Sequence, residues 1–333
     1  IVYWAKQYHI DGFRFDLMGL IDIDTMNKAR EELDAMNEDI ILYGEGWYMD
    51  STNRTRDVYL CNQNNSRFTD QLGYFCDTIR SGIRGGNDNN SKGFVQGNTS
   101  SDETIAYSAK GYAIWSENEP YQLINYVSCH DNYTLWDKLY VAGKNETQDN
   151  LIKQNKLAAA IVQTAQGTPL MLQGEEFLRT KESEDGQKYE KTYNTPDSVN
   201  KVDYSRLEEY SYVTDYYRGL IKFRKNHPSL RMFRKSTVDQ KFHWLDNCPV
   251  YRSGVIAYQL DKVEGEVADN IIVIYNANKS QETVYLPSGD WKVCVNGSKA
   301  GVDVLDTVRG SVTVSPISCY VLVQGETKDP SVK

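Results

Sequence analysis

The sequence lacks several features that would place it in common functional classes. Its 333 residues include 37 Lys and Arg against 46 Asp and Glu, so the net charge of −9 supplies no excess of the positive charge that nucleic-acid phosphates require. The six cysteines are scattered without a C-x-x-C pair, which disfavours a zinc site or a disulfide framework and makes buried free thiols the default. No apolar run approaches the length needed to cross a membrane.

The composition that remains is typical of a globular protein with many aromatic rings. Hydrophobic residues make up 40% and charged residues 25%, which disfavours a disordered chain. The length is enough for one large domain and a smaller one. The 24 Tyr and 6 Trp suit a protein that stacks rings on the flat faces of sugars, although core packing accounts for most of them.

Residues 11–19, DGFRFDLMG, form the stretch around which the first part of the chain is organised. Phe13 and Phe15 alternate with Arg14 and Asp16, which predicts a short buried strand within residues 10–16. Arg14 on the same face favours the ionised form of Asp16, and an oriented carboxylate at the C-terminal end of a strand suits a nucleophile. Taken alone, however, the stretch is explained better by a salt bridge that only fixes a turn.

Short strands and helices alternate through the first two thirds of the chain. Further strands are predicted at residues 40–43, 72–75, 125–129 and 170–173. Helices are predicted at 25–37 with Asp24 as its cap, from Asp77 to Ile83, at 148–166, and at 205–225 behind a capping box of Ser205 and Glu208. Strand and helix in turn, with short connections, are typical of a parallel α/β sheet.

Three of the predicted strands end in a carboxylate: Asp16, Glu45 and Asp131. In a closed βα barrel, the C-terminal ends of the strands converge on one face, where such folds place their chemistry. Glu45 lies between two glycines and before Trp47, an apolar setting that favours the protonated form and suits a general acid. The sequence therefore predicts two carboxyls with different roles, an ionised Asp16 and a protonated Glu45.

His130 and Asp131 are suited to holding sugar hydroxyls and to stabilising positive charge at an anomeric carbon. Each residue also has an ordinary explanation, with Glu45 as a hydrogen-bonding loop residue and His130 as a core histidine. Three carboxylates at successive strand ends nevertheless make coincidence improbable.

From about residue 237 the pattern changes to short β-rich runs separated by turn residues. These runs predict a modest antiparallel β-sandwich. The chain is therefore divided into a catalytic α/β portion at 1–236, a C-terminal β-sandwich at 237–325 and a tail at 326–333.

Three segments resemble signature regions of the α-amylase superfamily of glycoside hydrolases: GFRFDLM at 12–18, GEGW at 44–47 and VSCHDN at 127–132. The nearest likeness is to the type I pullulanases of glycoside hydrolase family 13. It rests on softer matches, namely GFVQG at 93–97, YTLWDKL at 133–139, QGEEFLRTK at 173–181 and YNTPDSVN at 193–200. The resemblance is close from residue 1 to about residue 230 and implies a (β/α)8 TIM barrel followed by an antiparallel β-sandwich domain.

By this resemblance Asp16 is the nucleophile, Glu45 the general acid/base and Asp131 the transition-state stabiliser. The implied substrate-binding residues are Arg14, His130, Trp47, Asn194, Asp197 and Asn200. The implied reaction is a retaining double displacement through a covalent glucosyl-enzyme, for which the carboxyls of Asp16 and Glu45 must lie ~5–5.5 Å apart. No cofactor and no catalytic metal are required. A structural calcium is compatible with the family, although no Asp/Asn cluster here has calcium-loop spacing.

One part of the family pattern is absent, namely the first signature region, which carries an Asp and a His on an earlier strand. The chain also opens on Ile1, without a methionine and inside an apparent helix. We therefore expect it to begin at about the fourth of eight strands. We also expect it to need the N-terminal half of the same protein as a partner, because half a barrel leaves open edges and an exposed core.

The favoured function is hydrolysis of α-1,6-glucosidic bonds in pullulan, amylopectin and related α-glucans, which is starch debranching. The alternatives are an α-1,4-acting α-amylase or amylopullulanase, a branching transferase, and a non-catalytic glucan-binding fragment. The expected partner is an α-glucan polysaccharide or oligosaccharide. A polymeric substrate favours an extracellular or cell-surface enzyme of a bacterium, and the six unpaired-looking cysteines make a cytoplasmic location the alternative.

Overall fold

The computed structural model describes residues 1–49, 58–113 and 118–332. Its first sheet contains five strands that pair in chain order and all run parallel. They are β1 Gly12–Phe15, β2 Ile41–Gly44, β3 Leu72–Phe75, β4 Leu123–Asn125 and β5 Thr168–Pro169. Phe15 pairs with Gly44 and Gly44 with Tyr74, so the C-terminal ends of the first three strands lie side by side. This sheet is part of a barrel, as the sequence predicts.

Ten α-helices are present in the described part of the chain. They are α1 Val2–Tyr8, α2 Ile23–Asp34, α3 Asp77–Arg84, α4 Asp102–Ala109, α5 Leu135–Ala142, α6 Gln148–Thr164, α7 Asp197–Asn200, α8 Ser205–Glu209, α9 Ser211–Asn226 and α10 Lys235–Lys241. None of the helices in these residues is long and apolar enough to cross a membrane. Helix α6 is the central one, because 13 of its residues are buried, which explains its apolar sequence.

Several predicted element bounds are confirmed and others are wrong. The predicted strands at 40–43 and 72–75 and the helix from Asp77 are present within one residue. Helix α2 begins one residue after Asp22, whose side chain accepts from the Thr25 backbone N–H at 2.7 Å, so Asp22 rather than Asp24 is the cap. The capping box is also wrong, because the Ser205 hydroxyl donates to Asp203 and no side chain caps that helix.

The predicted strands at 125–129 and 170–173 are shifted in the structure. Strand β4 ends at Asn125 and β5 covers only Thr168–Pro169. Tyr126, Val127 and Ser128 are nevertheless buried. Tyr126 and Val127 pack in the hydrophobic core. A short buried run has the same sequence pattern whether or not it is a strand.

The second sheet contains six antiparallel strands in the order β10-β9-β11-β8-β7-β6. They are β6 Phe242–Trp244, β7 Val255–Asp261, β8 Ala268–Asn276, β9 Glu282–Val295, β10 Asp306–Val314 and β11 Ser318–Gly325. One face of this sheet covers a core that includes the fully buried Trp291, as in a β-sandwich. The other face packs on α6, where the hydroxyl of Tyr258 donates to the Thr164 carbonyl oxygen at 3.0 Å.

The predicted domain bounds at 236/237 and 325/326 stay predictions. Within the tail, the Thr327 carbonyl oxygen lies 3.2 Å from His227 Nε2 and the Asp329 N–H donates to Asn226 Oδ1 at 3.0 Å. Both contacts join the tail to the end of α9. Lys333 lies outside the described residues.

Candidate active site

Arg14 joins two of the predicted catalytic carboxylates. Its Nη1 donates to Asp16 Oδ1 at 2.7 Å and its Nη2 to Glu45 Oε1 at 2.6 Å. Asp16 follows β1 and Glu45 follows β2, and these two strands pair in parallel, so both side chains emerge at the same edge of the sheet. The structure therefore brings together two groups that lie far apart in the sequence.

The backbone around Glu45 is fixed by close contacts between the two strand ends. The Glu45 N–H donates to the Phe15 carbonyl oxygen at 3.0 Å, and Glu45 Oε2 accepts from the Leu17 N–H at 3.1 Å. A Cβ on Gly46 would lie 2.3 Å from Cδ1 of Tyr74, which explains why glycine occupies this position. The orientation of Glu45 thus depends on the packing of β1, β2 and β3.

The charge environment of the pair differs from the expected one. The sequence predicts that Arg14 orients Asp16, and the structure shows that its guanidinium also pairs with Glu45. The indole of Trp47 stacks on Phe75, with 6.3 Å between the ring centres. What distinguishes the two carboxyls is hydration, since the Asp16 side chain is 69% exposed and that of Glu45 is 13% exposed. The less hydrated carboxyl is the one assigned as general acid.

A cavity of about 350 Å³ lies beside this pair. Glu45, Trp47 and Asp131 line it together, so the second and third predicted carboxylates share one cavity. His130 lies next to it, with its Nε2 3.5 Å from Asp131 Oδ1. Asp16 is not among the lining residues and connects to the cavity through Arg14 and Glu45.

Sequence reasoning missed most of the cavity wall: Asp77, Arg80, Arg84, Asn87, Tyr126, Cys129 and Asn132. Arg80 and Arg84 lie one turn apart on α3 and therefore share a face, a spacing that was visible in the sequence. Arg80 Nη1 donates to the Tyr126 hydroxyl at 2.9 Å, and Arg84 Nη2 donates to Asn87 Oδ1 at 2.9 Å. Burial lowers the pKa of Arg84 to about 10.

The predicted substrate-binding residues Asn194, Asp197 and Asn200 do not line this cavity. The side-chain amide of Asn200 donates to the Thr192 carbonyl oxygen at 2.7 Å and to Thr195 Oγ1 at 2.8 Å, so it holds its own loop together. Asn194 and Asp197 are exposed. A substrate contact from these three residues stays a prediction.

Neither disulfides nor metal clusters organise the described residues. All six cysteines fall within them and are unpaired, with Cys248 exposed, Cys129 half-buried and the other four buried. No group of three or more His, Cys, Asp or Glu side chains among these residues is placed to hold a metal ion. None of them is therefore assigned to the structural calcium that the family resemblance allows.

The comparisons with known proteins point to one family. The family model "Pullulanase, all-beta domain" matches residues 238–299. The pullulanase of Bacillus subtilis (strain 168) is 35% identical over 295 residues, covering 86% of this chain and 40% of the relative. The chain is a homologue of the pullulanases over most of its length. It spans less than half the length of this curated relative.

Solved pullulanase structures have the same fold. A pullulanase from Bacillus acidopullulyticus superposes with a TM-score of 0.88 at 37% identity, covering 97% of this chain and 39% of that one. A pullulanase from Anoxybacillus sp. LM18-11, complexed with maltotetraose, superposes with a TM-score of 0.87 at 34% identity, covering 97% and 45%. The partial barrel and the β-sandwich therefore follow the pullulanase arrangement over nearly the whole chain.

Proposed function

We propose that this chain is the C-terminal part of a retaining glycoside hydrolase that cleaves α-1,6-glucosidic bonds in pullulan, amylopectin and related α-glucans. The observation that carries the proposal is the joining of Asp16 and Glu45 by Arg14 beside a cavity that Glu45 shares with Asp131. The homology to pullulanases supports the debranching reaction over the α-1,4-acting, transferase and binding-only alternatives.

In the proposed reaction, an Asp16 carboxylate oxygen forms a bond to the anomeric carbon while the glycosidic C–O bond breaks. Glu45 gives its proton to the departing oxygen and then, as carboxylate, takes a proton from the water that releases the sugar from Asp16. Asp131 stabilises the positive charge that develops at the anomeric carbon in both steps. These roles require no cofactor, because the carboxyl groups perform both the covalent and the proton-transfer work.

The polarity of the cavity suits a sugar substrate. Trp47 supplies ring surface, while Asn87, Asn132 and Asp131 supply groups that can bond hydroxyls. A solved neighbour is named as a pullulanase complexed with maltotetraose, an α-glucan oligosaccharide. We infer that an α-glucan chain occupies the same edge of the sheet here.

We further propose that an N-terminal half of the same protein completes the barrel. The chain covers 40% of its Bacillus subtilis relative, and β1 has a strand partner on one side only in the described sheet. Before that strand in the sequence, α1 exposes the rings of Tyr3, Trp4 and Tyr8 by 62%, 51% and 59%. Exposed aromatic rings and an open strand edge are both suited to burial by further barrel elements.

The proposed location is the cell surface or exterior of a bacterium, because the polymeric substrates are found there. The unpaired cysteines are compatible with the cytoplasmic alternative. Secretion of the protein measured by cell fractionation separates the two.

A structural calcium stays a proposal from family resemblance, tested by thermal unfolding with and without a calcium chelator.

Product analysis on pullulan tests the function. The protein is assayed together with an N-terminal barrel half, and Asp16→Asn, which keeps the side-chain shape and removes the nucleophile, serves as the control. We expect maltotriose from the parent and loss of nearly all turnover in the variant. Degradation of amylose without attack on pullulan would replace the α-1,6 assignment by an α-1,4 one. Glucan binding without turnover of either polymer would contradict the enzyme assignment.

A further inference from the structure

The backbone of the His130–Asp131 turn is held by a buried lysine from a distant part of the chain. Lys181 is 2% exposed, and its Nζ donates to the His130 carbonyl oxygen at 2.6 Å and to Thr192 Oγ1 at 2.7 Å. The Thr192 hydroxyl donates to the same carbonyl oxygen at 3.2 Å. Two donors therefore fix the peptide group that leads directly into Asp131.

Lys181 is itself fixed by Asp137. The Lys181 N–H donates to Asp137 Oδ2 at 2.7 Å, while Asp137 Oδ1 accepts from Thr180 Oγ1 at 2.5 Å and lies 3.3 Å from Lys188 Nζ. Asp137 is fully buried in the first turn of α5, the helix that follows the turn in the chain. The turn is thus held between α5 and the segment around Lys181.

The position of Lys181 is costly for stability. Its ammonium bonds to uncharged oxygens, and burial lowers its pKa to about 8, with Arg179 acting in the same direction and Asp131 and Asp137 opposing it. A buried charge without a directly paired carboxylate destabilises the fold unless its hydrogen bonds are strong. The ammonium lies close enough to Asp131 for the two charges to interact.

The turn needs support from outside its own sequence. Asn132 has a φ of 62°, in the left-handed region, which asparagine adopts more readily than most other residues with a side chain. A residue held in this region persists only where the surroundings fix it. The bonds to the His130 carbonyl oxygen fix the backbone on the N-terminal side of Asp131.

We propose that Lys181 is a positioning residue for Asp131, whose carboxyl it holds toward the cavity shared with Glu45 by fixing the His130 carbonyl group. This inference rests on the proposed function, since it gives Lys181 a role in a reaction that Asp131 assists. Lys181 is not among the residues that line the cavity, and its hydrogen bond reaches the turn through the His130 carbonyl oxygen.

The test compares Lys181→Met with Lys156→Met in the protein supplied with its N-terminal half. Lys156 is a matched control because it is also buried, its Nζ also donates to a backbone carbonyl, that of Gly297 at 2.7 Å, and its pKa is also about 8. It lies on α6, which packs on the six-stranded sheet, and it does not line the cavity. Thermal unfolding shows whether the two substitutions destabilise the fold to a similar degree.

We expect Lys181→Met to lower kcat on pullulan by about 10²-fold with little change in KM, because a misplaced catalytic group weakens transition-state binding selectively. Lys156→Met should leave kcat unchanged. Thr192→Val, which removes one donor and keeps the side-chain shape, should lower kcat by a smaller factor, and it decides the question if Lys181→Met does not fold.

An active parent with unchanged kcat in both Lys181→Met and Thr192→Val would overturn this inference and leave the proposed function standing. An increase in KM alone would also overturn it, because it would make the contact one for substrate binding. A parent that turns over neither pullulan nor amylose would reject the proposed function, and the role of Lys181 with it.

Discussion

Replacing Arg14 by lysine tests the site at the point where its two proposed catalytic carboxyls meet. The substitution keeps the positive charge and removes the planar fork. A single ammonium nitrogen cannot reproduce both the 2.7 Å bond to Asp16 Oδ1 and the 2.6 Å bond to Glu45 Oε1 in their observed geometry. At least one carboxyl therefore loses its fixed orientation.

The expected loss of activity depends on how far the side chains of Asp16 and Glu45 are exposed to water. A hydrogen bond to a charged group contributes about 1.5–3 kcal/mol, and water compensates much of the loss at Asp16, whose side chain is 69% exposed. Glu45 is 13% exposed, so the loss there is compensated less. If about 1.5–3 kcal/mol of transition-state stabilisation disappears, kcat/KM falls by about 10- to 10²-fold.

The assay is kcat/KM on pullulan for Arg14→Lys, with Arg309→Lys as the matched control. Arg309 also pairs with an aspartate, since its Nε lies 2.7 Å from Asp290 Oδ1, but its side chain is 73% exposed and the pair lies on the β-sandwich. We expect parental kcat/KM in the control. Parental activity in Arg14→Lys would refute the reasoning, as would an equal loss in both variants.

Two further predictions concern stability and assembly. Burial raises the pKa of Glu175 to about 8 from an ordinary 4.5, so the folded state keeps a proton that the unfolded state releases, and the free energy of unfolding should decrease as pH rises from 4.5 toward 8. Glu175→Gln should flatten that decrease in urea unfolding across this range, and an equal slope in parent and variant would argue against it. The isolated chain should be unstable and inactive on pullulan until an N-terminal barrel half is added; full activity of the chain alone would show that β1 needs no further partner.

Local sequence was sufficient for the elements whose contacts lie close along the chain. Alternation around Arg14 predicted β1, because neighbours two residues apart share a face of a strand, and the helix predicted from Asp77 is α3. The same patterns placed Asp16 and Glu45 at strand ends. Resemblance to the α-amylase superfamily then supplied their roles.

Local sequence was insufficient where burial without regular hydrogen bonding looks like a strand. Residues 126–128 are buried and apolar in part, yet β4 stops at Asn125, and the Asn125 carbonyl oxygen accepts from the Leu170 N–H beyond β5. The boundary is set by where two distant segments stop running side by side. The residues of either segment alone therefore do not indicate where the strand ends.

What the sequence by itself determined is therefore β1, β2, β3 and the start of α3, with Asp16 and Glu45 directly after paired strands. The prediction that Asp131 also lies at a strand end is wrong, because β4 ends at Asn125, six residues before it. Only the tertiary structure decided that Arg14 pairs with Glu45 as well as Asp16, that Arg84 forms part of the cavity wall, and that Lys181 holds the His130 carbonyl group. The physical reason is distance along the chain. Arg14 and Glu45 are 31 residues apart and His130 and Lys181 are 51 apart, so their contacts exist only once the parallel strands have aligned and the helices have packed beside them.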